Sequence, residues 1–251
     1  MNQNKAVVLF SGGKDSVYSL EKAYEEYEIA LLLTCTDESG ETIYTDGYEA
    51  PHQIMKSLSQ LYQKALIKKG HKTDIKSIKT SKTNTVNNLY EKLVELCKKN
   101  DIGTIITGDL NHPDGLDKAL TSRGIEKFGI KVISPAGDHF KTHGSLQYIK
   151  TLIELDFGIK IIGARKNDLP KKYIGQTLNH NLLKKWSKEL ENFDVSGEDG
   201  EYQSLILDSP LLREYIKVRE YKISPYEKGR DNKNHLYSRM IDIDFKIIEK
   251  P

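Results

Sequence analysis

The residues best suited to chemistry lie near the start of the chain, in the segment Ser11-Gly12-Gly13-Lys14-Asp15-Ser16. Adjacent glycines let a backbone turn sharply and approach a ligand with no Cβ in the way. Helical spacing begins near Asp15, so the free N–H groups and positive end of a helix would face the same space, where Lys14 adds a mobile cation. The segment, called the 11–16 loop below, is therefore predicted to hold phosphate groups.

The elements on either side of the 11–16 loop support this prediction. Ala6–Phe10 is a short apolar run of the kind that forms a strand buried on both faces. Apolar residues then recur at helical spacing up to Tyr27, and a second apolar run follows at Ile29–Leu33. Strand, helix and strand in this order indicate parallel pairing with a right-handed crossover. The plainer alternative is a strand-to-helix turn in which Ser11 or Asp15 only caps the helix.

The alternation of strands and helices continues through the first half of the chain. Helices are predicted at 52–69 and 86–98, and strands at 75–78, 102–107 and 131–133. This alternation predicts an α/β fold with a Rossmann-like, doubly wound parallel sheet, in which ligands lie beyond the carboxyl ends of the strands. We assign this sheet to residues 1–134.

The second half of the chain, 135–251, is predicted to form a smaller C-terminal α+β domain on the substrate side. A helix at 146–156, a strand at 158–164 and a polar helix around Trp186 precede two strand patterns, at 215–221 and 241–247. No Pro- or Ser-rich linker separates the halves, so we expect them to pack closely.

Composition and charge exclude several classes of protein. The formal net charge of +2 provides no global field for gripping a nucleic-acid backbone, so nucleic acid is not expected as a partner. The two cysteines, Cys35 and Cys97, have no CxxC partner, which is typical of a reducing, cytoplasmic setting without a zinc ribbon. The longest apolar runs are far too short to cross a bilayer, so no membrane association is expected.

The hexapeptide of the 11–16 loop resembles the PP-loop of the N-type ATP pyrophosphatases, whose fold is of the adenine nucleotide alpha hydrolase type. It is not a GxxxxGK[ST] loop, because Lys14 follows the glycines directly. The resemblance implies binding of ATP with Mg²⁺ and cleavage between the α and β phosphates. It makes Ser11, Gly12, Gly13, Lys14, Asp15 and Ser16 the nucleotide-binding residues, with Asp15 as a Mg²⁺ ligand.

A distant segment, Ser196-Gly197-Glu198-Asp199-Gly200-Glu201-Tyr202-Gln203-Ser204, narrows the choice. With the sequel at 207–211, it resembles the Gly-Glu-x-Gly-Glu-(Phe/Tyr)-x-(Thr/Ser) pattern of the diphthine-ammonia ligase family. Tyr173-Ile174-Gly175 and Gly108-Asp109 are also similar to elements of that family. The resemblance spans 7–212 and implies an AMP-forming ligase that couples a carboxylate to ammonia or an amine.

Three carboxylates lie within four residues in this segment, called the acidic loop (196–201) below: Glu198, Asp199 and Glu201. Such a cluster is suited to hold Mg²⁺, to orient ammonia or to act as a general base on the attacking nitrogen. An acidic surface turn is the plainer alternative. The sequence does not assign the roles separately, and we take Glu198 and Glu201, with Lys14, as catalytic candidates.

Two further aspartates end predicted strands at the ligand edge of the sheet. Asp109 follows the central strand at 102–107 and is a fourth catalytic candidate, with a helix cap or turn as the alternative. Asp37 follows the strand at 29–33, near the point where the superfamily commonly recognises adenosine.

The resemblance fails in the segment after Asp109, at 110–117. The family usually carries a basic Gln-Arg motif there, and this chain has Leu-Asn-His-Pro-Asp-Gly-Leu-Asp instead; a family Cys and Trp further on are also missing. The acyl substrate therefore stays open between diphthine on a translation elongation factor and a small-molecule carboxylate. Two other functions also stay open: a PP-loop tRNA-modifying enzyme and a non-catalytic ATP-binding sensor.

Overall fold

The computed structural model describes residues 1–36, 52–79, 85–110, 115–228 and 235–251. Its first half contains β1 (Asn2–Leu9), α1 (Lys14–Ala23), β2 (Glu28–Thr36), α2 (His52–Lys68), β3 (Asp74–Lys79), α3 (Thr85–Asn100), β4 (Ile102–Ile106), α4 (Leu116–Ser122) and β5 (Lys131–Ile133). Its second half contains α5 (Pro135–His143), α6 (Ser145–Glu154), β6 (Gly158–Arg165), α7 (His180–Glu189), β7 (Tyr202–Asp208), β8 (Glu214–Ile223), β9 (Glu227–Lys228) and β10 (Leu236–Glu249).

The first sheet is parallel, with the strand order β3-β2-β1-β4-β5. β1 lies at its centre because Ala6, Val7 and Val8, all 0% exposed, can be buried on both faces. From β1 the chain adds β2 and β3 on one side of the sheet, and β4 and β5 lie on the other side, so the strand order changes direction between β1 and β4. Ligands of such sheets bind beyond the carboxyl ends of the strands at this point. The predicted doubly wound, Rossmann-like sheet is confirmed.

The two faces of this sheet belong to different hydrophobic clusters. Val7, Leu31 and Ile105 face a cluster that also contains Leu93 of α3 and Leu120 of α4. The opposite face joins a larger cluster whose members come from α1, α2, α6 and the second sheet. Helices on both faces are what the uninterrupted apolar strands of the sequence require.

The second sheet is antiparallel, with the order β7-β6-β10-β8 and with β9 paired to β10. The predicted smaller C-terminal α+β domain is thus confirmed, while its boundary at 134/135 stays a prediction. β7 was not predicted as a strand. Its residues 202–207 are all buried, and they include the polar Gln203 and Ser204. The segment therefore shows neither a continuous apolar run nor the alternation of apolar and polar residues by which a strand is recognised in sequence.

The helix α5 is also a departure from the sequence prediction. No helix was predicted over its residues, which include His139 and His143 between Gly137 and Gly144. Ser134 caps the helix by accepting a hydrogen bond from the N–H of Gly137, and Pro135 occupies the first helical position.

The two sheets meet at the 11–16 loop. The N–H of Ile206 in β7 donates to the carbonyl of Gly12 at 2.9 Å, and the N–H of Lys14 donates to Ser204 Oγ at 3.3 Å. The second sheet therefore forms one wall of the site at the end of β1. Across the described ranges, none of the helices combines the length and apolar character needed to cross a membrane.

Candidate active site

The 11–16 loop connects β1 to the N-terminus of α1, as the sequence predicts. Gly12 has a φ of +72°, which an L side chain rarely adopts, and a Cβ there would lie 2.7 Å from Met55 Sδ and 2.9 Å from Leu58 Cδ2. Position 12 therefore requires glycine for two reasons, its positive φ and the lack of room for a Cβ atom. The N–H groups of the first turn of α1 have no partner within a helix, and that of Lys14 donates to Ser204 Oγ at 3.3 Å.

Both hydroxyls of the loop close it on itself. Ser11 Oγ donates to Ser16 Oγ at 3.0 Å and accepts from the N–H of Gly13 at 3.4 Å, while Ser16 Oγ donates to the carbonyl of Gly13 at 3.1 Å. Gly108, at the end of β4, packs so tightly on the backbone of Ser16 that a Cβ would not fit. The conformation of the loop is therefore held from two sides.

Lys14 is buried at the centre of the site, with a side chain that is 4% exposed. Its Nζ lies 2.8 Å from Asp15 Oδ2 and 5.5 Å from the centre of the Tyr202 ring, within the range of a cation–π interaction. The other carboxylate oxygen of Asp15 accepts a hydrogen bond from the Tyr148 hydroxyl at 2.8 Å. Each charge of the loop is thus held by a residue from the second half of the chain.

Tyr202 also fixes the acidic loop. Its hydroxyl donates to the carbonyl of Val195 at 2.7 Å, and a Cβ on Gly197, whose φ is +68°, would lie 2.7 Å from the ring. The ring therefore touches the acidic loop at its edge and faces Lys14 with its π-system. Two segments that are almost two hundred residues apart in sequence are positioned by one side chain.

The structure separates the three carboxylates of the acidic loop, which the sequence left equivalent. Asp199 is exposed, Glu198 is half-buried, and Glu201 is buried at 7% exposure. Glu201 Oε2 is buried without a hydrogen-bond partner among the described residues. Burial, together with the negative charges of Asp194 and Asp199, raises the pKa of Glu201 to about 7, although Arg165 opposes the shift.

Asp109 lies at the end of β4, on the ligand edge where it was predicted. Its carbonyl accepts a hydrogen bond from the Ser134 hydroxyl, and its carboxylate lies against the Cα of Gly115. Burial and then the charge of Asp109 raise the pKa of Asp117 on α4. The carboxyl group of Asp109 thus faces a second carboxyl group, and the cap of α4 is Gly115, with no side-chain cap hydrogen bond.

Two sequence-based expectations concern ligands directly. Asp37, the adenosine-side candidate, lies outside the described residues. Within the part of the chain that the structure describes, no three His, Cys, Asp or Glu side chains form a group that could hold a metal ion. Asp15 as a Mg²⁺ ligand stays a prediction, and in the structure its two carboxylate oxygens contact Lys14 and the Tyr148 hydroxyl.

Comparison with known protein families places this geometry in context. Residues 4–132 match the model of the diphthamide synthase N-terminal domain, and residues 144–233 match that of the diphthamide synthase C-terminal domain. The chain belongs to the diphthamide synthase family. The predicted resemblance is confirmed, and the two matches cover the 11–16 loop and the acidic loop respectively. No curated protein matches the chain.

The sequence did not identify every residue that builds the site of this diphthamide synthase family member. Tyr148 was part of a predicted amphipathic helix, where a buried tyrosine is an ordinary core residue. Ser204 and Tyr202 were quoted as part of a matching segment, but nothing local indicated their contacts with Lys14. Trp186, in the helix predicted around it, is buried and its ring packs against those of Tyr173 and Tyr202.

A second hydrogen-bonded group next to the site was also missed. His139 Nδ1 lies 2.8 Å from the Tyr18 hydroxyl, and its buried Nε2 has no partner among the described residues. Burial lowers the pKa of His139, followed by the charges of His143 and Lys22. The sequence signal was the i, i+4 spacing of the two histidines, which marks one face of a helix.

Proposed function

We propose that this member of the diphthamide synthase family is an ATP-dependent amide ligase that forms AMP and pyrophosphate. It adenylates a carboxylate and couples the acyl group to ammonia or an amine. The observation that carries the proposal is the position of Tyr202, which faces Lys14 of the 11–16 loop and directly follows Glu201. Tyr202 thus links the cation for phosphate to the acidic loop, which carries a buried carboxyl group that can accept a proton.

The first half of the reaction would use the 11–16 loop. A carboxylate oxygen of the substrate attacks the α-phosphorus, and the bond from that phosphorus to the oxygen bridging the β-phosphate breaks. Negative charge accumulates on the leaving pyrophosphate. Lys14 and the N–H groups at Gly12 and Gly13 would stabilise this charge from positions that the fold sets before the reaction. The hydroxyls of Ser11 and Ser16, which close the loop on itself in the structure, would turn to donate to phosphate oxygens when the nucleotide binds.

Lys14 would exchange partners when the nucleotide binds. In the structure its Nζ is paired with Asp15, and phosphate oxygens would replace or share this contact. Mg²⁺ bound with ATP neutralises charge on the phosphate oxygens, and Asp15 would supply its carboxylate ligand. The hydroxyl of Tyr148 keeps the Asp15 carboxylate in place.

The second half of the reaction would use Glu201. The nitrogen of ammonia attacks the carbonyl carbon of the acyl-adenylate, the nitrogen loses a proton, and AMP leaves. A pKa of about 7 lets the Glu201 carboxyl accept that proton at neutral pH, which a carboxyl with an ordinary pKa does poorly. Glu198, half-buried on the same loop, would orient the incoming nitrogen.

The two remaining site candidates are proposed to act on other parts of the substrates. Asp109, at the end of β4, would face the α-phosphate and acyl end of the cleft, and Asp37 the adenosine. For the carboxylate we favour the family precedent, diphthine on a translation elongation factor. A small-molecule carboxylate stays the competitor because of the altered segment after Asp109.

The test is an analysis of the nucleotide products. The full chain is incubated with ATP, Mg²⁺ and ammonium, and with a panel of carboxylates that includes diphthine on its translation elongation factor. AMP, pyrophosphate and an amide are expected in equal amounts. ADP and phosphate in their place would refute the proposal. The Lys14→Ala variant should lose the production of pyrophosphate that the wild type shows. If the protein is instead a sensor without turnover, the wild type itself would produce no pyrophosphate.

A further inference from the structure

A cleft opens at the end of α1 that lies away from the 11–16 loop. It consists of two adjoining cavities of about 350 and 220 Å³, formed where α1, α2 and the segment after β7 meet. Lys69, Leu211 and Arg213 line both cavities, so the two lie side by side and share one wall. We call it the α1–α2 cleft.

The walls of the α1–α2 cleft combine an apolar floor with a basic rim. The floor is formed by Leu61, Ala65, Leu155, Phe157, Leu211 and Leu212. The rim is formed by Lys22, Lys64, Lys68, Lys69 and Arg213. Charge beside apolar surface interacts more strongly with a ligand of opposite charge than charge in open water does.

The acidic residues around the cleft do not cancel this positive charge. Glu214 is paired with Lys64. Burial raises the pKa of Glu21 to about 7, so this carboxyl group is partly neutral at physiological pH. In the described ranges, the other four rim cations form no ion pair, and two of them, Lys22 and Lys69, lie over the rings of Tyr18 and Tyr24.

The cleft is held rigidly by contacts beneath its floor. The Tyr62 hydroxyl lies 2.6 Å from Ser209 Oγ, and Lys250 Nζ donates to the carbonyl of Ser209 at 2.8 Å. Ser209 is fully buried and directly precedes the residues of the rim and floor at 210–214. A preformed surface of this kind does not lose much conformational entropy when it binds a partner.

We propose that the α1–α2 cleft docks an acidic peptide segment of the protein that carries the acceptor carboxylate. Apolar side chains of the peptide would lie on the floor and its carboxylates against the rim. The inference rests on the proposed function and adds to it the surface that would hold the protein substrate. Lys22 lies eight residues along α1 from Lys14, or about 12 Å, so a small carboxylate at the 11–16 loop would not reach the cleft.

The chemistry of the floor favours a peptide over a nucleic acid. Proteins that bind single-stranded nucleic acid place aromatic rings for bases to stack on. Here the floor is mostly aliphatic, and the Tyr24 ring at its margin has Lys69 above it at 6.0 Å. Aliphatic side chains and carboxylates at alternating positions of a peptide match this pattern better.

Binding of a model peptide tests the proposal without any catalytic step. The probe is a fluorescein-labelled decapeptide of alternating Glu and Leu, measured by fluorescence anisotropy on the full chain at two salt concentrations. The double variant K69Q/R213Q removes the two cations that line both cavities. The matched control is K184Q/K188Q, which removes two exposed lysines of α7.

We expect K69Q/R213Q to bind about five- to tenfold more weakly, with a smaller dependence on salt, because it removes two exposed cations whose pairing with carboxylates is weak and screened by salt. The control should bind like the wild type. Equal binding by both variants would overturn the proposal, as would equal affinity of the wild type for a peptide with Gln in place of Glu. A uridine oligonucleotide that binds more tightly than the peptide and is equally sensitive to K69Q/R213Q would assign the cleft to nucleic acid instead.

A kinetic measurement connects docking to the reaction. With the diphthine-bearing elongation factor, K69Q/R213Q should raise the KM for that protein while kcat and the KM for ATP stay unchanged. A fall in kcat at unchanged KM would contradict docking. If the wild type forms no AMP at all, the proposed function fails, and the peptide measurement still decides on the cleft.

Discussion

Two carboxyl groups in this protein share a pKa of about 7, and their surroundings differ. Glu21, near the C-terminal end of α1, lies 3.2 Å from the Tyr62 hydroxyl, and hydrogen bonds from Ser209 and the backbone of Leu211 also lower its pKa against the effect of burial. Glu201 has one oxygen without a partner among the described residues, and two neighbouring aspartates raise its pKa further.

The difference teaches that a raised pKa alone does not identify a catalytic carboxyl group. The carboxyl group of Glu21 accepts hydrogen bonds from Tyr62, Ser209 and the backbone of Leu211, so we assign it a structural role. Glu201 keeps a buried oxygen without a hydrogen-bond partner among the described residues, and its role in proton transfer is our proposal. Unsatisfied buried polar atoms are rare in folded proteins, and their presence indicates either a functional site or a missing ligand.

The largest effect that separates the two groups is expected from their replacement by glutamine. Glu201→Gln should lower amide formation by about 10²- to 10⁴-fold, because a general base is lost. Glu21→Gln should change it by less than about twofold. AMP and amide are quantified together under saturating ATP. Similar losses in both variants would show that the two carboxyl groups do not differ in the way described.

The pH profile sharpens the same comparison. The base form of Glu201 is the deprotonated one, so the kcat/KM of the wild type should rise with pH through about 7. Glu21→Gln should keep this rise. Glu201→Gln should lose it, and a profile that keeps the same rise in that variant would assign it to another group.

A smaller effect is expected from removing the hydroxyl that holds Asp15. Tyr148→Phe deletes the hydrogen bond to Asp15 Oδ1 and retains the buried ring, so we expect a roughly tenfold fall in kcat and a higher Mg²⁺ requirement. Tyr62→Phe is the matched control, since it deletes the hydroxyl beside Glu21 and leaves the 11–16 loop untouched. An unchanged Mg²⁺ titration for Tyr148→Phe would remove Tyr148 from the site.

Stability should also depend on pH through both carboxyl groups. Each has a folded-state pKa above its unfolded value of 4.5, so the stabilisation is fully present below about pH 4.5 and is lost as pH rises through about 7. Glu21→Gln and Glu201→Gln should therefore raise Tm relative to the wild type at pH 8, by about 2–4 °C for each kcal/mol of penalty removed. Calorimetry at pH 5 should show a much smaller gain.

The smallest effect concerns Tyr62→Phe itself. Loss of its hydroxyl should raise the pKa of Glu21 further and lower the free energy of unfolding by about 1 kcal/mol, the usual contribution of one hydrogen bond. Denaturant unfolding at pH 7 measures this change, and activity should stay within about twofold. If stability falls but the pH dependence of unfolding does not change, the Tyr62 hydroxyl does not influence the pKa of Glu21.

The amino-acid sequence by itself determined the parallel sheet and the loop at its centre. Uninterrupted apolar runs at 6–10 and 29–33 specify strands buried on both faces, and two glycines before a helix specify the turn at 11–16. Each of these patterns lies within a short stretch of consecutive residues, so the periodicity and spacing of the residue types were enough to predict it. The family also follows from sequence, through the 11–16 loop and the acidic loop.

Only the tertiary structure decided which side chains act together. The contacts of Lys14 with Ser204 and Tyr202, and of Asp15 with Tyr148, join residues that are 190, 188 and 133 positions apart. Spacing along the chain does not encode such contacts, because loop closure over these lengths is set by packing of the whole core. For the same reason, three equivalent carboxylates in sequence became one exposed, one half-buried and one buried with a pKa of about 7.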